Sequence, residues 1–79
     1  MTVHCSAEFL IEPFKEGEPG PHVEYGITAM EEAGLEVTIG PFGSSVSGPV
    51  PVVTEALARM LTEAMAAGAS RISVQVSQT

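Results

Sequence analysis

Residues 35–49 read Leu-Glu-Val-Thr-Ile-Gly-Pro-Phe-Gly-Ser-Ser-Val-Ser-Gly-Pro. The first five alternate between apolar and polar side chains, which predicts a strand with Leu35, Val37 and Ile39 facing a core. Gly-Pro-Phe-Gly then interrupts the pattern, and a bend is expected there because Pro fixes φ while Gly tolerates positive φ. A short return strand, mostly of hydroxyl side chains, follows over 44–47. An aromatic ring beside three serines at this bend indicates one wall of a small-molecule site.

Two further segments alternate in the same way. Residues 3–14 carry an apolar side chain at every second position, which predicts a first strand, and residues 71–77 predict a last one. Pro13 marks the end or the edge of the first strand because proline cannot donate to a strand ladder. The side chains that these two strands are expected to contribute to the core are Val3, Cys5, Ala7, Phe9, Ile11, Ile72, Val74 and Val76.

Helical spacing of apolar residues is found in two other segments. Pro21 and Pro51 suit the first turn of a helix, while Gly34 and Gly68 suit the position just past its end. Gly26 lies inside the first helix, where glycine weakens a helix, so it predicts close packing against a neighbour. The helical residues expected in the core are Val23, Ile27, Met30, Val53, Leu57, Met60 and Met65, with Leu61 and Ala64 as alternatives to the last two.

The order of the elements is therefore β-α-β-β-α-β. This predicts an α+β, ferredoxin-like fold, with a four-stranded antiparallel sheet and two helices on one of its faces. All 79 residues are expected to form a single domain, residues 1–79, because the chain is near the lower size limit for an independent core. The second face of such a sheet is left to solvent, so self-association is expected.

Net charge, apolar stretches and cysteine content indicate which partners and which cellular compartment to expect. Ten Glu against three basic residues give a formal charge of -7, which repels phosphate backbones and argues against nucleic-acid binding. No apolar stretch reaches membrane-spanning length, and the N-terminus does not read as a signal peptide. The single cysteine, Cys5, cannot form an internal disulfide. A cytoplasmic protein with a reduced thiol is expected.

The sheet face away from the helices carries the candidate binding residues. Glu8 could accept a hydrogen bond from an amino-substituted ring or offset a cationic ligand; alternatively it is solvated or paired with Arg71. Phe42 could stack on an aromatic ligand, or close the core or a subunit contact. The side chains expected on this face are His4, Ser6, Glu8, Leu10, Glu12, Thr38, Phe42, Ser73, Gln75 and Ser77, together with hydroxyls from residues 44–47, which could bind a ligand or satisfy local backbone groups.

Signatures of catalysis and metal binding are absent from the sequence. His4 and Cys5 are neighbours on a strand and project to opposite faces, so they cannot chelate one ion. No phosphate loop and no nucleophile–base–acid set can be identified. Binding without turnover is expected, with no cofactor and no metal; a small enzyme with Glu8 as base is the weaker reading.

Several short motifs follow one another along the chain. They are Ala7-Glu8 with Ile11 and Pro13-Phe14, Ala33-Gly34-Leu35, Gly40-Pro41-Phe42-Gly43-Ser44 with Gly48, Ala67-Gly68-Ala69 and Arg71-Ile72. This order resembles that of the small, single-domain members of the thiamine-binding (YkoF-like) protein family, and the resemblance covers nearly the whole chain.

The resemblance implies a cytoplasmic, non-catalytic domain that binds thiamine (vitamin B1) or its hydroxymethylpyrimidine moiety. It also implies a homo-oligomer, a dimer or tetramer assembled through the sheets. Carried over by position, the ligand contacts are Glu8, Phe42, Ser44 and Ser45, while Ser6 and Thr38 are added from facing direction alone. The rival interpretation is an oligomeric regulatory domain that senses small molecules such as amino acids, with the open face serving purely as an interface.

Overall fold

The computed structural model of the chain describes residues 3–13, 20–40 and 43–79. Its elements are, in order, β1 (His4–Glu12), α1 (Pro21–Glu32), β2 (Thr38–Gly40), β3 (Gly43–Pro49), α2 (Val50–Ala66) and β4 (Arg71–Gln78). The predicted β-α-β-β-α-β order is confirmed.

The strands form one antiparallel sheet in the order β2-β3-β1-β4. β1 pairs with β3 on one side and with β4 on the other, so each helical connection joins two strands that are not neighbours. The ferredoxin-like α+β prediction is confirmed. β2 and β4 lie at the two edges of the sheet, which matters for how their side chains are covered.

Alternation along β1 separates a buried face from an open one. Cys5, Ala7, Phe9 and Ile11 are all buried, as the sequence predicts, and they join side chains of both helices in one apolar cluster. Val3, which precedes the strand, is 47% exposed and does not belong to this cluster, so its assignment to the core is wrong. The intervening β1 residues face away from the helices, on the side of the sheet called here the open face.

Helix α1 begins and ends at the residues that the sequence indicates. Pro21 is its first residue, and Gly34, just past its end, has a positive φ of 85°. A Cβ atom on Gly26 would lie 2.6 Å from Cδ1 of Ile11 and 3.3 Å from Cγ of Met60. The close packing expected at this glycine is therefore confirmed, and it brings α1 against both β1 and α2.

Helix α2 buries a slightly different set of residues from the one expected. Val53, Leu57, Met60 and Ala64 are buried, whereas Met65 is 49% exposed, so its assignment to the core is wrong. Successive helical residues are rotated by about 100°, so Ala64 and Met65 point in different directions, and Ala64 is the one that faces inward. The small side chain takes that place because a Cβ on Gly26 would come within 3.7 Å of it.

The edge strands are less covered than the alternation suggests. Ile39 on β2 is 64% exposed and Val76 on β4 is 50% exposed, although both were expected in the core. The helices pack mainly on the central strands β1 and β3, so side chains at the edges lose that cover. β2 is also shorter than predicted: Leu35 is buried but precedes the strand, which begins at Thr38.

Candidate ligand site on the open sheet face

The strand register aligns the polar side chains of the open face into a row. Glu8 on β1 lies opposite Ser45 on β3 and Gln75 on β4, and Ser45 in turn lies opposite Thr38 on β2. Directly opposed residues of antiparallel strands share a face. These four side chains, called here the polar row, therefore cross the whole width of the sheet.

A second row runs beside the polar row. Leu10 lies opposite Ser73, and Gly40 lies opposite Gly43, whose added Cβ would be 3.8 Å from that of Leu10. These four residues are called here the glycine row. The two rows are separated by about 7 Å, since two strand residues span about 6.6 Å.

A depression of about 470 Å³ lies over the two rows. All eight residues of the two rows line the depression. Phe9 and Ser44, which lie between the rows on β1 and β3, line it as well. The lining residues are Glu8, Phe9, Leu10, Thr38, Gly40, Gly43, Ser44, Ser45, Ser73 and Gln75. The volume falls within the range of about 300–1,000 Å³ that is typical of small-molecule sites.

Two positions of the glycine row leave no room for a side chain. A Cβ on Gly43 would lie 2.9 Å from the backbone oxygen of Phe9, and one on Gly40 would lie 3.2 Å from the backbone oxygen of Gly43. Gly43 also has a φ of 147°, which other residues rarely adopt. The sequence therefore keeps the surface beside Leu10 low, as an apolar floor next to polar walls.

The polar walls of the depression contain one formal charge. Glu8 is exposed and has neutral neighbours in the polar row. Arg71, considered above as its partner, lies opposite Glu12 instead. Among the described residues the only ion pair joins Arg59 to Glu32, between the helices. The Glu8 carboxylate is thus available to a ligand on this face.

The structure brings together some of the predicted site residues. Glu8, Thr38 and Ser45 are all members of the polar row. Ser44 lines the depression but lies opposite Phe9. Its side chain therefore points to the helix side of the sheet, and its main chain forms part of the floor. Ser6 is on the open face but outside the lining.

Phe42, also predicted, lies outside the described residues. The described residues on either side of it, Gly40 and Gly43, both line the depression. Contacts of Phe42 with a ligand therefore stay a prediction.

Three lining residues are predicted by the sequence to lie on the open face but are not among its predicted ligand contacts. Leu10 supplies the apolar floor, while Ser73 and Gln75 complete the wall on β4. Strand parity already indicated their face. The sequence does not show that β4 pairs with β1, which aligns Gln75 with Glu8 although they are 67 residues apart in the chain.

His4 and Cys5 are the adjacent pair of metal-ligand residue types in the chain. His4 is exposed and Cys5 is buried, so these two neighbours project to opposite faces. Across the residues for which a structure is described, no three His, Cys, Asp or Glu side chains are grouped to hold an ion. In the same part of the chain, neither helix is long and apolar enough to cross a membrane.

Solved structures share this fold. A domain of unknown function, DUF77, from Bacillus cereus superposes with a TM-score of 0.72 at 16% identity, covering 100% of this chain and 77% of its own. A hypothetical protein from Methanocaldococcus jannascii gives a TM-score of 0.70 at 17% identity, covering 96% and 78%. A Thermotoga maritima protein assigned provisionally to thiamine biosynthesis or salvage gives 0.63 at 15% identity, covering 99% and 82%.

At these identities the superpositions establish a shared fold. No protein-family model and no curated protein sequence matches the chain. The resemblance noted in the sequence is thus supported at the level of the fold.

Proposed function

We propose that this chain is a non-catalytic cytoplasmic binding protein for thiamine or its hydroxymethylpyrimidine moiety, held in the depression of the open sheet face. The observation that carries the proposal is the position of one carboxylate, Glu8, among neutral hydrogen-bonding groups and beside the apolar floor of Leu10. A flat, amino-substituted, cationic ligand needs these three features together.

The chemistry of the walls suits the two halves of thiamine. A carboxylate only accepts hydrogen bonds, so Glu8 matches the amino group of the pyrimidine or lies near the positive thiazolium ring. The net charge of -7 favours the approach of a cation in general. Hydroxyl groups of Thr38, Ser45 and Ser73 add donors and acceptors around the carboxylate. Phe42 is proposed to stack on the ligand from the adjoining bend.

Two comparisons add support from outside the site. The Thermotoga maritima protein, which shares this fold, is assigned provisionally to thiamine biosynthesis or salvage. The order of motifs in the sequence resembles that of the thiamine-binding family.

Calorimetric titration of the whole chain tests the proposal. We expect saturable, one-to-one binding of thiamine, its phosphates or the free hydroxymethylpyrimidine, and no binding of amino acids. If amino acids bind and the thiamine-related compounds do not, the rival regulatory domain is favoured. If none of the thiamine-related compounds binds, the proposed function is overturned. Turnover is checked in the same samples by chromatography of the recovered ligand, which should be unchanged.

We also propose that a second copy of the chain covers the open face in a homo-oligomer. Leu10 is an apolar, half-buried side chain on a face whose other side chains are mostly polar, and the depression is open above it. A second sheet would desolvate Glu8 and so strengthen its interaction with a ligand.

Sedimentation velocity should therefore give a dimer or tetramer at micromolar concentration. Leu10→Glu places a charge in the proposed interface. It should raise the concentration at which half of the chains are assembled by at least tenfold. Leu61→Glu, an exposed position on α2, is the control and should leave the assembly unchanged. A wild-type chain that sediments as a monomer at micromolar concentration would contradict the proposed assembly.

A further inference from the structure

Gln75 occupies a distinctive place in the polar row. It lies directly opposite Glu8, on the same face, and its side chain is exposed at the edge strand β4. Cβ atoms of such opposed residues are about 4.5–5.5 Å apart. A primary amide and a carboxylate therefore stand side by side on one wall of the depression.

The two groups differ in what they can bind. An ionised carboxylate only accepts hydrogen bonds, whereas a primary amide both donates and accepts. Together they match a ring edge on which an amino group stands next to a ring nitrogen. The amino group donates to Glu8, and the ring nitrogen accepts an N–H bond from Gln75.

The floor fixes which way such a ring would lie. Leu10 is two residues from Glu8 along β1, and Ser73, opposite Leu10, is two residues from Gln75 along β4. A ring resting on Leu10 and Ser73 thus lies beside the Glu8–Gln75 pair and can direct one edge at both of its members. Ser45, the other neighbour of Glu8, has a shorter side chain and is half-buried, so it reaches less far over this floor.

We propose that Gln75 is a ligand-binding residue that donates a hydrogen bond to the ring nitrogen adjacent to the amino group of the bound heterocycle. This rests on the proposed function and adds to it a second recognition residue, on a different strand from Glu8. It restricts the ligand class to heterocycles with the amino group and the ring nitrogen on neighbouring atoms.

The test combines a protein change with a ligand change. The probes are hydroxymethylpyrimidine and its deaza analogue, in which the ring nitrogen beside the amino group is replaced by C–H. Gln75→Met removes the amide at similar size and should weaken pyrimidine binding about tenfold. The same variant should bind the deaza analogue within about twofold of wild type, because that ligand has no atom to accept the bond.

The control is Gln78→Met, the same replacement on β4 at a residue that pairs with Cys5 and is outside the lining. It should change neither affinity. Unchanged pyrimidine binding by Gln75→Met, or an equal loss for both probes, would overturn the role of Gln75 while leaving the proposed function in place. If the wild-type chain binds neither thiamine nor the pyrimidine, the proposed function fails and this inference fails with it.

Discussion

Met60→Ala is expected to lower the free energy of unfolding by about 2–5 kcal/mol, the usual cost of truncating a fully buried Met. Met60 is 0% exposed, and its Cγ lies 3.3 Å from the Cβ position of Gly26 on α1. Truncation would leave a cavity between the two helices, above Ile11 of β1. A chain of this size has a total stability of about 4–12 kcal/mol, so the loss is a large share of it.

Met65→Ala provides the matched control. Met65 is on the same helix, α2, but is 49% exposed, and its truncation should cost no more than about 0.5 kcal/mol. Both values come from urea unfolding at one fixed protein concentration, because the proposed assembly makes apparent stability depend on concentration. If Met60→Ala does not fold, Met60→Leu should fold with a loss below about 1.5 kcal/mol. Equal losses for Met60→Ala and Met65→Ala would contradict the described core.

The contrast between these two methionines illustrates what a local pattern can predict. Periodicity alone predicted the stripe through Val53, Leu57 and either Met60 or Leu61, because every turn of a helix returns a residue to the same side. It could not choose between Ala64 and Met65, which depends on the approach of Gly26 from another helix. Hydrophobicity favours the larger side chain, whereas packing favours the smaller one.

The same limit applies to the sheet. Alternation along β1 predicted its buried face correctly, and with it the outward direction of Glu8. Ile39 follows the same alternation but is exposed, because its cover depends on where the helices lie across the sheet. The strand order places β2 at the edge of the sheet, and the alternation within one strand does not show whether that strand is at an edge.

The candidate site combines both kinds of information. Thr38 and Glu8 were predicted from strand parity, which is local. The low floor beside Leu10 depends on Gly40 and Gly43 lying next to it, which the register between three strands determines. Gln75 likewise became a site residue only when β4 was aligned with β1.

Replacing Glu8 by Gln is expected to weaken thiamine binding by about 10–100-fold while leaving fold and assembly intact. Hydrogen bonds to a charged group contribute about 1.5–3 kcal/mol, and each 1.4 kcal/mol corresponds to about tenfold in affinity. Gln keeps the size of the side chain and one acceptor oxygen, so the change removes mainly the charge. Calorimetry measures the affinity, and sedimentation velocity with circular dichroism checks the assembled, folded state.

Glu24→Gln is the matched control for this charge change. Glu24 is exposed on α1, which packs on the other face of the sheet, and its replacement alters the net charge by the same amount. Its affinity should stay within about twofold of wild type, since a distant surface charge is largely screened at physiological salt. Unchanged affinity in Glu8→Gln would remove Glu8 from the site. Equal losses in both variants would show that the acidic surface as a whole, rather than one carboxylate in the depression, attracts the ligand.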